Sequence, residues 1–337
     1  MTPTLPLSLL LLLLLSTLLV PPSSSLTLLH SPLHSSHAPP PNVPHPENPT
    51  RIAAALSLVS SLPGVSVIDI SATTAAGSSS LPLPTVLPLA ALAAVHTPEH
   101  VSVLQSTVGG LTSDTYIAPT SFSAVLEAQS CWLRAAAAAA GGAGPAFAIA
   151  RPPGHHATRG AGMGFCLANF AAAAAVAIAK EGGKVGVLDF DVHHGNGSED
   201  VLKDEENVSY FSASLFGAFG RGDEASGHEN VRKVCYKPGD DWVAIIEEGA
   251  RWLAETRACQ TVVVSAGYDA LASDEMSTMD LVPRDFYDAT RAVMKHFPKE
   301  RIALGLEGGY DVKHGGLAEG VSRTAEALLG LPCGDDK

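Results

Sequence analysis

The sequence predicts an α/β protein: a single domain built on one open parallel sheet with helices on both faces. Three observations carry the prediction. Apolar runs of strand length recur at residues 146–150 (AFAIA), at the start of 184–197 (KVGVLDFDVHHGNG), at 261–267 (TVVVSAG) and at 301–306 (RIALGL). Continuous apolar runs suit strands buried on both faces. Helix-like segments separate these runs, and strand alternating with helix implies right-handed crossovers and parallel pairing. Each run also breaks into polar, glycine-containing sequence at its carboxyl end, where open parallel sheets collect their functional residues. No internal repeat or interdomain linker is visible.

In chain order, residues 1–20 (MTPTLPLSLLLLLLLSTLLV) form an apolar leader, followed by Pro21, Pro22 and three serines. About twenty apolar residues can span a membrane. Folded sequence is expected from Leu26 (LTLLH, a first strand), which leaves almost no linker, so removal of residues 1–25 is expected and stable membrane insertion afterwards is not. The expected destination is an organelle, a plastid or mitochondrion, with cytoplasm or nucleus as the alternative. Free cysteines and the sequon Asn196-Gly197-Ser198, placed among the polar residues of a strand end, disfavour secretion.

The loop carrying His30, His34, His37 and His45 contains five prolines and reads as a surface segment, closing on HPENPTR at residues 45–51. Helical periodicity marks 51–62 and 87–103, the latter around His96. Residues 119–140 predict a helix ending in six alanines and stopped by Gly141-Gly142. Strand 146–150 leads into RPPGHHATRGAGMGFC, whose prolines stiffen a turn bearing His155 and His156. A small-residue helix at 167–180 precedes strand 184–190. Further helices are expected at 242–255, 284–296 and 317–331, around the strands that end in Asp269 and Tyr310.

Composition narrows the chemistry. At 337 residues and 46% hydrophobic, the chain can bury a large core. A net charge of −13 with no basic run argues against direct nucleic-acid binding. Five scattered cysteines without C-x-x-C spacing indicate neither a disulfide framework nor a thiolate metal knuckle. Any metal is therefore expected on histidine and carboxylate. Asp191 and His193, two residues apart at a strand end, can reach one divalent ion at roughly 2 Å, and we read them as zinc ligands.

Taken together, RPPGHHA, GMGFCLAN, LDFDVHHGNG, SAGYDAL and LEGGY resemble the successive motifs of the histone deacetylase family, and HPENPTR resembles its amino-terminal signature. The resemblance runs from about Leu26 to the carboxyl end. It implies the arginase/deacetylase-like three-layer sandwich, with residues 26–337 as the catalytic domain. Asn196 and LEGGY resemble class II and its bacterial and plastid-type relatives more than class I.

Carried over residue by residue, the resemblance implies one zinc per chain on Asp191, His193 and Asp269. It implies His156 as general base and acid, His155 as its electrostatic partner oriented by Asp189, and Tyr310 as the oxyanion donor. Two adjacent imidazoles near a cation should resist double protonation, which keeps one of them available as a base. A structural potassium ion is implied at Asp189, the backbone carbonyls of Asp191 and His193, and Ser212. Phe165, in the GMGF motif with Gly164, and Phe219 match the aromatic walls of an acyl-lysine tunnel, and Asp114 matches a rim residue that grips substrate backbone. Met276 stands at the position where polyamine-selective relatives carry a gatekeeper glutamate. The implied substrate is an acetylated lysine in a protein or a small acetylated amine.

The sequence departs from the family pattern in several places. Ser214 stands where the family commonly has histidine, Phe170 replaces a polar residue, and AFGRG surrounds Phe219 without the usual proline. Asn196 offers His156 no carboxylate, so that imidazole should be less basic than with aspartate there. A binuclear manganese ureohydrolase-like enzyme would need more acids than SAGYDAL supplies. A non-catalytic acyl-lysine scaffold would predict decay at Tyr310 or the histidine pair, and both are intact.

Overall fold

The computed structural model describes residues 25–71, 81–215, 227–276 and 278–334. The leader and Phe219 lie outside the described residues. In chain order the elements are β1 (Leu26–His30), α1 (Thr50–Val59), β2 (Val65–Asp69), α2 (Pro88–Val95), α3 (Pro98–Ser106), β3 (Gly109–Gly110), β4 (Tyr116–Ile117), α4 (Ser121–Gly141) and β5 (Ala146–Ala148). They continue with α5 (Phe170–Lys180), β6 (Val185–Asp189), α6 (Asn196–Leu202), β7 (Val208–Leu215), β8 (Val231–Tyr236), α7 (Trp242–Arg251), β9 (Thr261–Ala266), α8 (Pro283–Met294), β10 (Ile302–Leu306) and α9 (Gly316–Leu329).

Eight strands form one sheet in the order β2-β1-β5-β10-β9-β6-β7-β8, and every neighbouring pair is parallel. Strand alternation divides the core between two faces. Val262 and Val264 of β9 face α1, α7, α8 and α9, where Trp242, Ile246, Phe286 and Val321 are buried. Val263 faces the opposite way, onto the buried alanines of α4 and α5. These small side chains let the helices approach closely. At Gly305 a Cβ would lie 2.0 Å from the Trp132 indole, so only glycine lets α4 sit against β10 as it does.

Local signals explain most boundaries. Gly142, at φ 67°, ends α4 in the left-handed conformation glycine tolerates. The Asn169 side chain caps α5 by accepting the Ala172 N–H at 3.1 Å. The helix expected at 87–103 is two helices, because Pro98 cannot supply a backbone donor and Thr97 instead caps α3. Strands β2, β3, β4, β7 and β8 lie outside the apolar runs from which strands are expected.

The histidine-rich loop also differs from expectation. A surface segment is expected there, yet His34 and His37 are buried. His37 stacks on Tyr116 at 4.5 Å, and its Nδ1 lies 2.6 Å from Ser121 Oγ. Arg151 Nη1 donates to the carbonyls of His34 and His37 at 2.6 and 2.5 Å. Residues 40–44 of the loop are exposed, as a surface segment should be, and only the His34–His37 turn is drawn inward, because the buried Arg151 cation needs its carbonyls.

Candidate active site

Four strands that are adjacent in the middle of the sheet, β5, β10, β9 and β6, deliver their carboxyl ends to one place. The turns after them line a narrow cavity of about 60 Å³ with His155, His156, Asp191, His193, Asp269 and Tyr310. Asp114, Gly164, Phe165 and Met276 line the same cavity.

At its base, Asp191, His193 and Asp269 offer ligand atoms that all lie within 4.8 Å of one another. His193 Nδ1 is 3.0 Å from Asp269 Oδ2 and 3.3 Å from Asp191 Oδ1. The second oxygen of each carboxylate is held from the backbone: Gly308 N–H donates to Asp191 Oδ2 at 2.8 Å, and Val192 N–H donates to Asp269 Oδ1 at 3.1 Å. Burial, and then the charge of Asp191, push the Asp269 carboxyl up to about 6. Two buried carboxylates and one imidazole converging in this way fit a small divalent cation, whose charge would offset their mutual repulsion. The glycines here have a definite role. A Cβ at Gly308 would meet Asp269 Oδ2 at 2.3 Å and one at Gly267 would meet Asp191 Oδ2 at 2.1 Å, so glycine makes room for the two carboxylates.

The histidine pair lies against this cluster, with ring centroids 4.0 Å apart. His155 Nδ1 is 3.1 Å from Asp189 Oδ2, which also accepts the Tyr210 hydroxyl at 2.9 Å. Burial disfavours charge on His155, but Asp191 and Asp189 outweigh it and push the imidazole up to about 10. His156 Nδ1 is 2.7 Å from Asn196 Oδ1. Burial, and then the neighbouring His155 cation, hold His156 well below the ordinary histidine range. The two imidazoles are thus driven in opposite directions, His155 toward its protonated form and His156 toward its neutral one.

Behind Tyr310 lies a network that sequence reasoning did not assign. The Arg51 guanidinium lies 4.6 Å from the centre of the Tyr310 ring and donates to the Gly309 and Glu307 carbonyls at 2.7 and 2.5 Å. Asp274 accepts the Tyr310 N–H at 2.5 Å. Glu307 is fully buried, accepting N–H groups of Gly154 and His155 at 2.6 and 3.2 Å and the Ser265 hydroxyl at 3.0 Å. Burial, opposed by His155, pushes its carboxyl up to about 7. The acids in HPENPTR and LEGGY were the available signal, being ionisable groups inside otherwise apolar or turn-forming motifs.

The cavity walls have their own geometry. Gly164 and Phe165 both have positive φ, 54° and 67°, and a Cβ at Gly164 would lie 2.6 Å from His156 Cδ2. The Phe165 ring packs edge-on to Tyr310 and His45 at 5.5 and 4.9 Å. Asp114 Oδ1 accepts the hydroxyls of Thr112 and Thr115 at 2.6 and 2.9 Å. Ser212 pairs in register with Asp189, and its Oγ is 3.1 Å from His194 Nδ1. Glu275 is exposed and lies outside this cavity.

A family model described as the histone deacetylase domain matches residues 45–328. An uncharacterized protein of Synechocystis sp. is 33% identical over 299 residues, 85% of this chain and 94% of that relative. Histone deacetylase 15 of Arabidopsis thaliana is 32% identical over 315 residues, 87% of this chain but 53% of the relative, so the chain spans about half that protein's length. The crystal structure of the HDA15 HD domain superposes with a TM-score of 0.76 at 26% identity, covering 91% of this chain and 89% of that one. A chloroplastic relative, histone deacetylase 14 of Arabidopsis, is 32% identical over 199 residues, 55% of this chain and 46% of its own.

Proposed function

The chain belongs to the histone deacetylase family, and on that premise we propose that it is a zinc-dependent hydrolase removing acetyl or similar acyl groups from lysine side chains of proteins. The observation that carries the proposal is the convergence of Asp191, His193 and Asp269 with His156 and Tyr310 around one narrow cavity. Asp191, His193 and Asp269 would hold the ion. The chemistry such an ion supplies when bound is Lewis acidity toward water and the amide carbonyl.

His156, neutral and with Nδ1 held against Asn196, takes a proton from the attacking water through Nε2 and delivers it to the departing amine. His155, which Asp191 and Asp189 push toward its protonated form and which Asp189 holds at Nδ1, disfavours lasting charge on His156 and so promotes that second transfer. The Tyr310 hydroxyl, which burial holds protonated, donates to the oxygen as negative charge develops on it. Phe165 and Gly164 confine the acyl-lysine stem, and Asp114 at the rim accepts substrate N–H groups. A potassium ion at Asp189 and Ser212 would brace the turn beneath His193.

Met276 lines the cavity where a gatekeeping acid would favour polyamines, which supports acyl-lysine over acetylpolyamines. The test is turnover by the full chain of acetyl-lysine peptides, acetylpolyamines and acetylated arylalkylamines, with elemental analysis. One zinc per chain and preference for acetyl-lysine are expected. Two equivalents of manganese, or hydrolysis of guanidino substrates, would overturn the assignment. A plastid or mitochondrial location is proposed from the apolar leader and from the chloroplastic relative. Residues 1–50 fused to a fluorescent protein should then enter an organelle, and a diffuse signal would refute it.

A further inference from the structure

We propose that His96 and His100 are positioning residues that clamp the loop carrying Phe165, and so set the width of the acyl cavity. The proposal rests on the deacylase reading for its kinetic consequences, although not for its geometry. His96 is the carboxyl-terminal cap of α2 and is buried, some sixty residues before the loop. Its Nδ1 lies 2.9 Å from the Thr158 carbonyl, and its Nε2 accepts the Asn169 N–H at 2.9 Å. One imidazole thereby ties together the two ends of the 158–169 loop.

The neighbouring groups extend the clamp. His100 Nε2 lies 2.8 Å from the Leu167 carbonyl, and Thr97 N–H donates to the Arg159 carbonyl at 2.8 Å. Within the loop, Met163 and Cys166 exchange backbone hydrogen bonds of 3.0 and 2.9 Å, and Phe165 N–H donates to Thr115 Oγ1 at 2.9 Å. At the tip, Phe165 adopts a φ of 67°, a left-handed conformation that a bulky side chain holds only when its surroundings over-determine it. The clamp is the part of those surroundings that touches neither substrate nor catalytic residue.

Histidine suits the task because a neutral imidazole presents one donor and one acceptor at opposite edges of a rigid ring. Burial, and then the adjacent His100, lower His96 to about 4, so the acceptor lone pair persists at neutral pH. With Nε2 accepting from Asn169, Nδ1 carries the hydrogen and donates to Thr158. Both bonds end on the backbone of the loop that bears Gly164 and Phe165, which line the cavity together with Asp191 and Asp269.

The test compares His96→Phe, which fills the space without either bond, with His96→Gln, whose amide retains a donor and an acceptor. Two readouts are taken: kcat and KM for acetyl- and butyryl-lysine peptides, and amide hydrogen exchange across residues 159–166. In His96→Phe, KM for the acetyl peptide should rise about tenfold with kcat nearly unchanged, the loss of one or two hydrogen bonds. The butyryl-to-acetyl ratio should rise, and exchange at Phe165 should quicken. His96→Gln should recover most of the difference. Unchanged exchange at Phe165 in folded His96→Phe, or a fall in kcat with KM constant, would overturn the clamp. If His96→Phe does not fold, His100→Leu carries the same test through the single Leu167 bond, and unchanged exchange there overturns it. Should the wild-type chain fail on every acyl-lysine peptide, the deacylase reading falls while the exchange measurement still judges the clamp.

Discussion

Tyr310 terminates a line of buried contacts that begins at Glu47. That carboxylate accepts from Arg151 Nε and Nη2, both at 2.7 Å, and lies 3.5 Å from Arg51, which in turn grips the Gly309 carbonyl behind Tyr310. Removing only the hydroxyl should leave this support untouched, because the Arg51 and Phe165 contacts are made by the ring. Tyr310→Phe is therefore expected to keep the melting temperature and metal content of the parent and to lose turnover by about a hundredfold, the usual worth of one oxyanion donor. Parent-like kcat in that variant would remove Tyr310 from the mechanism. The motif LEGGY made Tyr310 legible in the sequence; Glu307 two positions into the same motif was passed over, since its partners Gly154, His155 and Ser265 are brought to it only by folding.

Among the elements, the strands with continuous apolar runs were legible and the mixed ones were not. The edge strand β2 is half-exposed, with Val67 at 41%, and its sequence VSVID lacks the signature of a strand covered on both faces. Strand β8, VRKVCY, carries two cations on the opposite edge. Strand β7, VSYFSASL, is almost wholly buried although three of its residues are serines; Ser212 Oγ lies 3.1 Å from His194 Nδ1 and Ser209 Oγ accepts from Arg257 Nε at 3.0 Å. Helix α4 packs closely on β10, and the contact of Trp132 with Gly305 makes that packing testable. Gly305→Ala should destabilise the protein by about 1–3 kcal/mol through overpacking and reduce activity by shifting the strand that leads to Tyr310. Urea unfolding with a midpoint equal to the parent's would mean that the indole moves aside without cost.

At the scale of the whole molecule, the buried histidines make stability depend on pH. Burial, and then the charge of Arg151, lower His34 to about 3, and burial with His100 lowers His96 to about 4. Each is neutral in the fold while its unfolded counterpart, near 6.5, takes up a proton first, so the unfolded state binds more protons across this interval. Their contribution is fully present above pH 6.5 and is lost as pH falls toward 4, on the order of 3 kcal/mol for each histidine. The Asp269 and Glu307 carboxyls, pushed up to about 6 and about 7, act in the opposite sense over part of this range, so the contribution of His96 is read as a difference: urea midpoints between pH 7 and 4.5 should fall less, or rise more, in His96→Gln than in the parent, and parallel slopes would show that His96 titrates normally in the fold. What the sequence by itself determined was the α/β class, the four polar strand ends and the residue types able to bind a metal, transfer a proton and donate to an oxyanion. These follow from apolar runs and short spacings that local chemistry makes readable. The tertiary structure alone decided that β5, β10, β9 and β6 stand side by side, that His34 and His37 are buried, and that Glu47, Arg151 and Glu307 meet partners more than a hundred residues away. The reason is physical: strand order and the pairing of buried charges depend on how distant segments share one core, and no local propensity encodes either.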